Sequence, residues 1–388
     1  MKAFDTHIPT KLIFGVGSIS RLGDTAVQHG KKALVVTVGD DMRKYGILDK
    51  ALDTLEQAGV GSVIFSDVEA NPKANSVDAG VSVFNDNGCD IAIGLGGGSA
   101  MDAAKAIAMV AKNGGSVMDY MPRHPRFGVE LKQTYPVICV TTTAGTGSEA
   151  TWFAVITNPE THEKPGLGWP CMMPVASIID PELMLTLPKG ITAQTGADVF
   201  FHAMEAYLNQ HATPYTDMVS LEAMRITKKY LPVVLERPDD IESRSWMAWA
   251  NTLGGIAIVL SATCGLHAMG HSISGISDIA HGRALASVAV AFMDYTYDSC
   301  NERYANVARI LGADISLPDD EAAAMCGSLI KEFLQKCEMQ VTLTDVGIRP
   351  GQIPEIVDIS SSSMDFCMKA TLLPLEKNDI TKILKASV

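Results

Sequence analysis

The chain has 388 residues, which at roughly 150 residues per domain is enough for two or three domains, so it needs neither disulfides nor a structural metal merely to fold. Hydrophobic residues make up 47% and charged residues 19%, a balance that excludes a disordered chain. The formal charge of -13 repels polyphosphate backbones and anionic lipid surfaces, which argues against nucleic-acid or membrane partners.

The N-terminal residues Met1 to His7 contain no basic region leading into an apolar run, so they do not read as a signal peptide. The longest apolar stretches, such as Ala284 to Met293, fall well short of the ~20 residues that span a bilayer, and a cytoplasmic protein is expected. The eight cysteines are scattered, with no C-x-x-C pair, and read as reduced, mostly buried thiols.

Short β-branched runs punctuate the first half: Ala33 to Val38, Ser62 to Ser66, Asp90 to Leu95, Val137 to Thr141 and Ala176 to Asp180. Helix-length segments lie between several of them, including Ile47 to Gln57 and Ser76 to Asn87. Continuous apolar strands alternating with helices predict a parallel sheet covered on both faces. After Pro181 the pattern changes to long Ala/Met/Leu-rich stretches, Thr195 to Gln210, Thr216 to Leu231, Ile241 to Leu260 and Asp320 to Gln335, which predict helices. The breaker cluster Pro188-Lys-Gly190 marks the boundary, giving an α/β domain over 1–187 and an all-helical domain over 188–388.

The run Asp90-Ile-Ala-Ile-Gly-Leu-Gly-Gly-Gly-Ser-Ala-Met-Asp-Ala-Ala-Lys105 is a strand, a glycine turn and a helix in succession. Adjacent glycines let a ligand approach the backbone, Ser99 is placed to cap the helix, and free N–H groups with a positive dipole end suit a pyrophosphate. The competing reading is a tight turn with Asp102 in a capping interaction. A second cluster, Thr141-Thr-Thr-Ala-Gly-Thr-Gly-Ser-Glu149, also follows a strand and is expected to line the same ligand cleft at the carboxyl ends of the strands.

In the second half, Asp198 and His202 stand four apart on a predicted helix, so both project from one face. Between Gly265 and Gly282 lie three of the nine histidines, His267 and His271 again four apart, with His281 just before a glycine. A single histidine on an apolar helix is ordinarily a core residue, which is the expectation for His29 and His211. Four histidines with a carboxylate at helical spacing point instead to a metal. Imidazole and carboxylate ligands suit Fe(II) or Zn(II), and the absence of a cysteine partner favours a catalytic ion with an open position.

These residues together carry a family resemblance. Over nearly its whole length the chain resembles the iron-containing (group III) alcohol dehydrogenases, on Gly96 to Lys105, Thr141 to Glu149, Asp180-Pro-Glu-Leu183 and the histidine constellation. The resemblance implies a Rossmann-like α/β nucleotide-binding domain followed by an all-α domain, the architecture shared with dehydroquinate synthase, with an active site between them. It implies Asp198, His202, His267 and His281 as metal ligands, and His271 and His281 as catalytic histidines, His271 relaying the proton. It implies cofactor contacts at Asn71, Gly97, Gly98, Ser99, Asp102, Thr141, Thr142, Thr146, Val155 and Lys164. A divalent ion acts as a Lewis acid on the substrate oxygen while nicotinamide carries the hydride. Fe(II) is the expected ion with Zn(II) as the alternative, and a homodimer is the expected assembly.

Two segments depart from the family pattern. Val38-Gly-Asp40 stands where many NAD-preferring members end the second strand in aspartate, so NAD is expected and NADP stays open, with Arg43 and Lys44 nearby. Ala370-Thr-Leu-Leu-Pro-Leu375 replaces a common Asn-Pro-Arg segment. Trp152, Phe153 and Trp169 are candidates for an aromatic wall, with core packing at least as good an account of Trp169. The expected reaction is interconversion of a small primary alcohol and its aldehyde, working as a reductase in a fermentative cell. The rivals are a lyase of the dehydroquinate synthase type, which needs Lys and Arg around the metal, and a non-catalytic nucleotide sensor.

Overall fold

The structure, a computed structural model, describes residues 3–122, 124 and 128–388. The chain forms two compact units, His7–Leu187 and Pro188–Val388, the second taking in the N-terminal residues up to Thr6.

The first unit is built on a six-stranded parallel sheet in the order β1-β8-β5-β4-β2-β3. Its strands are β1 (Lys11–Phe14), β2 (Lys32–Val36), β3 (Gly61–Phe65), β4 (Ile91–Gly96), β5 (Val137–Thr141) and β8 (Ala176–Ile179), while β6 (Ala154–Val155) and β7 (Gly166–Leu167) form a separate antiparallel pair. Helices α1 (Leu22–Ala26), α2 (Asp41–Lys44), α3 (Ile47–Gln57), α4 (Ala74–Asp86) and α5 (Gly98–Asn113) connect them. The period-2 alternation of β2 splits its side chains between two cores: Leu34 and Val36 pack with the residues of α4 and α5, Ala33 and Val35 with those of α1 and α3. This is why the strands read as unbroken apolar runs. Edge strand β1 has no such run; only Ile13 of its four residues is buried, and the sequence reading passes over it.

The second unit is helical: α6 (Lys189–Tyr207), α7 (Pro214–Glu236), α8 (Ile241–Ser261), α9 (Gly265–Ser277), α10 (His281–Thr296), α11 (Asn301–Leu311), α12 (Asp319–Ala324), α13 (Cys326–Lys336), α14 (Ile353–Ser363), α15 (Asp365–Ala370) and α16 (Lys377–Ala386). The stretch expected as one helix from Asp320 is broken at Met325, whose N–H bonds to Ala322 O, three residues back instead of four. Long α6, α7 and α8 pack on one another, and fourteen of the nineteen residues of α6 are buried, so its polar side chains face protein. No single described helix is long and apolar enough to cross a membrane.

Candidate functional site

Helix α6 presents Asp198, His202 and Glu205 at i, i+4 and i+7, one stripe of an otherwise apolar surface. Helix α9 brings His267 against that stripe and α10 begins at His281. One ligand atom each from Asp198, His267 and His281 lies within 4.8 Å of the others. His267 Nε2 is 3.4 Å and His281 Nε2 3.9 Å from Asp198 Oδ1. Ligands held about 2.1 Å from one tetrahedral ion stand roughly 3.4 Å apart, so the separations suit a shared cation. His202 stands beside this group of three, its Nδ1 3.6 Å from Asp198 Oδ1 and its ring stacked on His267 at 4.4 Å between centroids. The His271 ring lies 4.9 Å from that of His281 and 6.0 Å from that of His267.

The charges of this cluster fit a metal. Asp198 Oδ1 and His267 Nε2 are buried and make no hydrogen bond, a costly state unless something else binds them. Burial disfavours the imidazolium of His267, yet the charges of Glu205 and Asp198, both in close contact with the ring, outweigh it and push the pKa up to about 9. Carboxylates that stabilise a proton this strongly will stabilise another cation there. Among the described residues, the charged partners within 4 Å of the Asp198 carboxylate are His202, His267 and His281.

The approach to His267 is tightly held. Helix α9 has no side-chain cap of its own. Glu205 Oε1 accepts the N–H groups of Cys264 and His267 at 2.8 and 3.1 Å, its Oε2 bonds to His267 Nδ1, and Thr371 Oγ1 accepts the Gly265 N–H at 3.0 Å. The departure at 370–375 is thus a support for α9: Gln210 N donates to Ala370 O, and Leu375 packs against Gly265, where an added Cβ would come within 2.5 Å of its Cδ1. Glu205 escaped the sequence reading; its signal was the i+7 position on the stripe begun by Asp198.

In the sheet unit the glycine turn and the threonine loop meet. A Cβ on Gly98 would lie 2.5 Å from Thr146 Cγ2, and one on Gly97 3.2 Å from Thr143, so part of the glycine requirement comes from this close approach. Helix α5 starts at Gly98 with Gly97 as an uncapped N-cap, leaving first-turn N–H groups open to an anion. Ser99 does not cap it, since its hydroxyl donates to Ala70 O. Nor does Asp102: its carboxylate accepts Ser148 Oγ at 2.6 Å and the Val155 N–H at 3.0 Å. Burial raises the Asp102 pKa above the ordinary carboxylate value, opposed by the charge of Lys105 and these two hydrogen bonds. Lys105, fully buried, donates to Ser148 O, Ser148 Oγ and Phe153 O at 2.6, 2.7 and 2.9 Å.

The remaining cofactor candidates are also drawn together. Lys164 Nζ donates to Asn71 Oδ1 at 2.8 Å, Thr142 N bonds to Gly96 O at 2.9 Å, and Thr146 Oγ1 accepts the Ser148 N–H at 3.3 Å. The Thr141 hydroxyl turns inward to Thr143 O. Asp180 is a staple, accepting the N–H groups of Gly17, Ile19 and Glu182. Trp169 is a core residue, its Nε1 bonded to Val129 O and its ring edge-on to Tyr120, whereas Trp152 and Phe153 are partly buried and edge-to-face at 5.8 Å. All eight cysteines are free, with Cys171 and Cys300 partly exposed, and burial pushes the Cys367 thiol up to about 12. The expectation for His211 fails: it is exposed, stacked on exposed Phe366, because α6 ends at Tyr207 before reaching it.

Comparison with known proteins agrees with this chemistry. Residues 9–181 match the family model of iron-containing alcohol dehydrogenases, and residues 192–388 match the C-terminal model of the same family. The chain is 34% identical to a choline dehydrogenase of Bacillus subtilis over 92% of its length and 89% of that protein's. It is 32% identical to an NAD-dependent methanol dehydrogenase of Bacillus methanolicus over 97% of its length and 98% of that protein's. The crystal structure of an archaeal halo-thermophilic alcohol dehydrogenase from a Red Sea brine pool superposes with a TM-score of 0.96 at 36% identity, covering 100% of both chains. With both halves matched and the relatives aligned almost end to end, the chain belongs to the iron-containing alcohol dehydrogenase family and is an oxidoreductase acting on alcohols.

Proposed function

We propose that this chain is a metal-dependent, nicotinamide-linked enzyme that interconverts a small primary alcohol and its aldehyde. The single observation that carries the reading is the cluster of buried Asp198 and His267 with half-buried His281, in which Asp198 Oδ1 and His267 Nε2 have no hydrogen-bond partner. Choline and methanol, the substrates in the names of the two relatives above, are both primary alcohols, and the second relative is NAD-dependent. Residues 1–187 are assigned to the nucleotide and 188–388 to the metal.

When bound, a divalent ion polarises the substrate oxygen and the nicotinamide gives or takes the hydride. Asp198, His202, His267 and His281 hold the ion. Gly97, Gly98 and the open start of α5 receive the pyrophosphate, with Asn71, Ser99, Asp102, Thr141, Thr142, Thr146, Val155 and Lys164 shaping the cradle around it. His271, whose ring lies beside that of His281, moves the alcohol proton through its imidazole.

The test is oxidation of NADH and NADPH by protein reconstituted anaerobically with Fe(II), across small aldehydes that include hydroxylated and acidic ones. Turnover that needs the metal and is fastest with one short aldehyde is expected. Equal turnover after the metal is stripped, or none on any aldehyde while metal and nucleotide are demonstrably bound, would overturn the reading.

A further inference from the structure

Glu205 is fully buried, and its carboxylate bonds to Cys264, the N-cap of α9, and to His267 in its first turn. One oxygen accepts two backbone N–H groups, a position where the helix dipole favours a negative charge. The other oxygen meets His267 Nδ1. An ionised carboxylate can only accept, so this contact places a proton on Nδ1 and makes Nε2, which faces Asp198 Oδ1 at 3.4 Å, the nitrogen open to a cation. The same carboxylate therefore sets two things at once, where α9 begins and which nitrogen of His267 is available.

We propose that Glu205 is a positioning residue for the metal centre, holding His267 in the one tautomer and orientation in which Nε2 is a ligand. The proposal rests on reading Asp198, His202, His267 and His281 as the metal set. Helix α6 then supplies two of the ligands, Asp198 and His202, and the outer support of a third, His267 on α9, from a single stripe, with Glu205 one turn beyond His202. Outer carboxylates of this kind are worth about 10- to 100-fold in metal affinity.

Glutamine at 205 separates the two tasks, because it has one acceptor where glutamate has two. With its oxygen kept under the Cys264 and His267 N–H groups, its NH2 faces Nδ1 and donates to it, driving the proton to Nε2 and blocking the ligand. The experiment measures Zn(II) and Co(II) dissociation constants by chelator competition for the wild type, Glu205→Gln and His267→Ala, alongside the unfolding midpoint of each metal-free protein. Metal affinity about 10- to 100-fold weaker in Glu205→Gln, with a near-wild-type midpoint, is the expected result. A dissociation constant within twofold of wild type would overturn the proposal while leaving the metal set standing. If His267→Ala binds metal as the wild type does, the metal set itself fails and the proposal with it. Should Glu205→Gln not fold, nitrogen NMR of 15N-histidine-labelled, Zn(II)-loaded wild type decides: a protonated Nδ1 on His267 is expected, and a proton on Nε2 overturns the role.

Discussion

Lys105 of the sheet unit and Asp198 of the helical unit are both buried ionisable groups, and their surroundings treat them in opposite ways. Lys105 is saturated: three oxygens accept from its Nζ, and Asp102 Oδ1 lies 3.8 Å away. Asp198 Oδ1 faces three imidazoles within 3.9 Å and makes no hydrogen bond. A satisfied network holds loops in place, and here it ties helix α5 to the segment carrying Ser148 and Phe153. Convergent unsatisfied atoms, by contrast, cost free energy that only a ligand recovers. The first arrangement therefore reads as framework and the second as a site, even though both are buried and charged.

Changing Asp198→Asn should separate site from framework most strongly. Removing one anionic ligand forfeits several kcal/mol of charge stabilisation, so kcat/KM should fall on the order of 10³-fold. The metal-free protein should keep its stability within about 1 kcal/mol, because no hydrogen bond to Oδ1 is lost. Parallel assays of turnover and urea midpoint check this. A large loss of stability with activity retained would place Asp198 in the framework and break the contrast.

Lys105→Met inverts the pattern. Methionine fills similar space but leaves Ser148 O, Phe153 O and the Asp102 carboxylate buried without their cation. Breaking a buried pair on one side costs about 3 to 5 kcal/mol, so the urea midpoint of the sheet unit should drop clearly. Zn(II) affinity should be untouched, since every proposed ligand lies in the other unit. A variant of wild-type stability would show that Lys105 is not the tie the geometry makes it.

How much of this could be read from the residues follows the same division. Histidines and a carboxylate at i, i+4 are rare enough in an apolar helix to announce themselves, and the clustering of Asp198, His267 and His281 in space needs only that α9 and α10 return to α6. Glu205 was invisible because a glutamate one turn further on is ordinarily a solvated face; only the packing of α9 reveals it as buried. Lys105 stood inside a quoted motif without a role, since nothing in the chain order tells that Ser148 will fold over it. Ser99 and Asp102 looked like caps by local spacing, but partners far along the chain, Ala70, Ser148 and Val155, compete for the same side chains and win. The parallel strands were legible from their apolar runs, whereas β1, three-quarters unburied, carries too little hydrophobic signal to be seen.

A half-buried contact in the helical unit sets the lower end of the scale. Tyr295 Oη donates to Asp379 Oδ1 at 2.6 Å, and Asp379 Oδ2 accepts the Glu376 N–H at 3.0 Å to close the cap of α16. The Tyr295 bond, helped by the Glu376 N–H and the charge of Lys382 against slight burial, holds the Asp379 pKa below the ordinary carboxylate value. A carboxylate whose folded pKa is depressed adds stability that is present above its unfolded pKa, about 3.9, and is lost as pH falls through the lower folded value. Asp379→Asn should therefore lower the thermal midpoint by only a degree or two near neutrality, on the order of a surface contact. The gap between variant and wild type should begin to close as pH falls below about 3.9, where the unfolded carboxylate takes up its proton, and should be gone once pH is below the lower folded value. A gap that stays constant down to low pH would mean that the contact works through packing instead of charge. A gap as large as that of Lys105→Met would mean that half-buried and fully buried ties contribute alike, and burial would not set the scale.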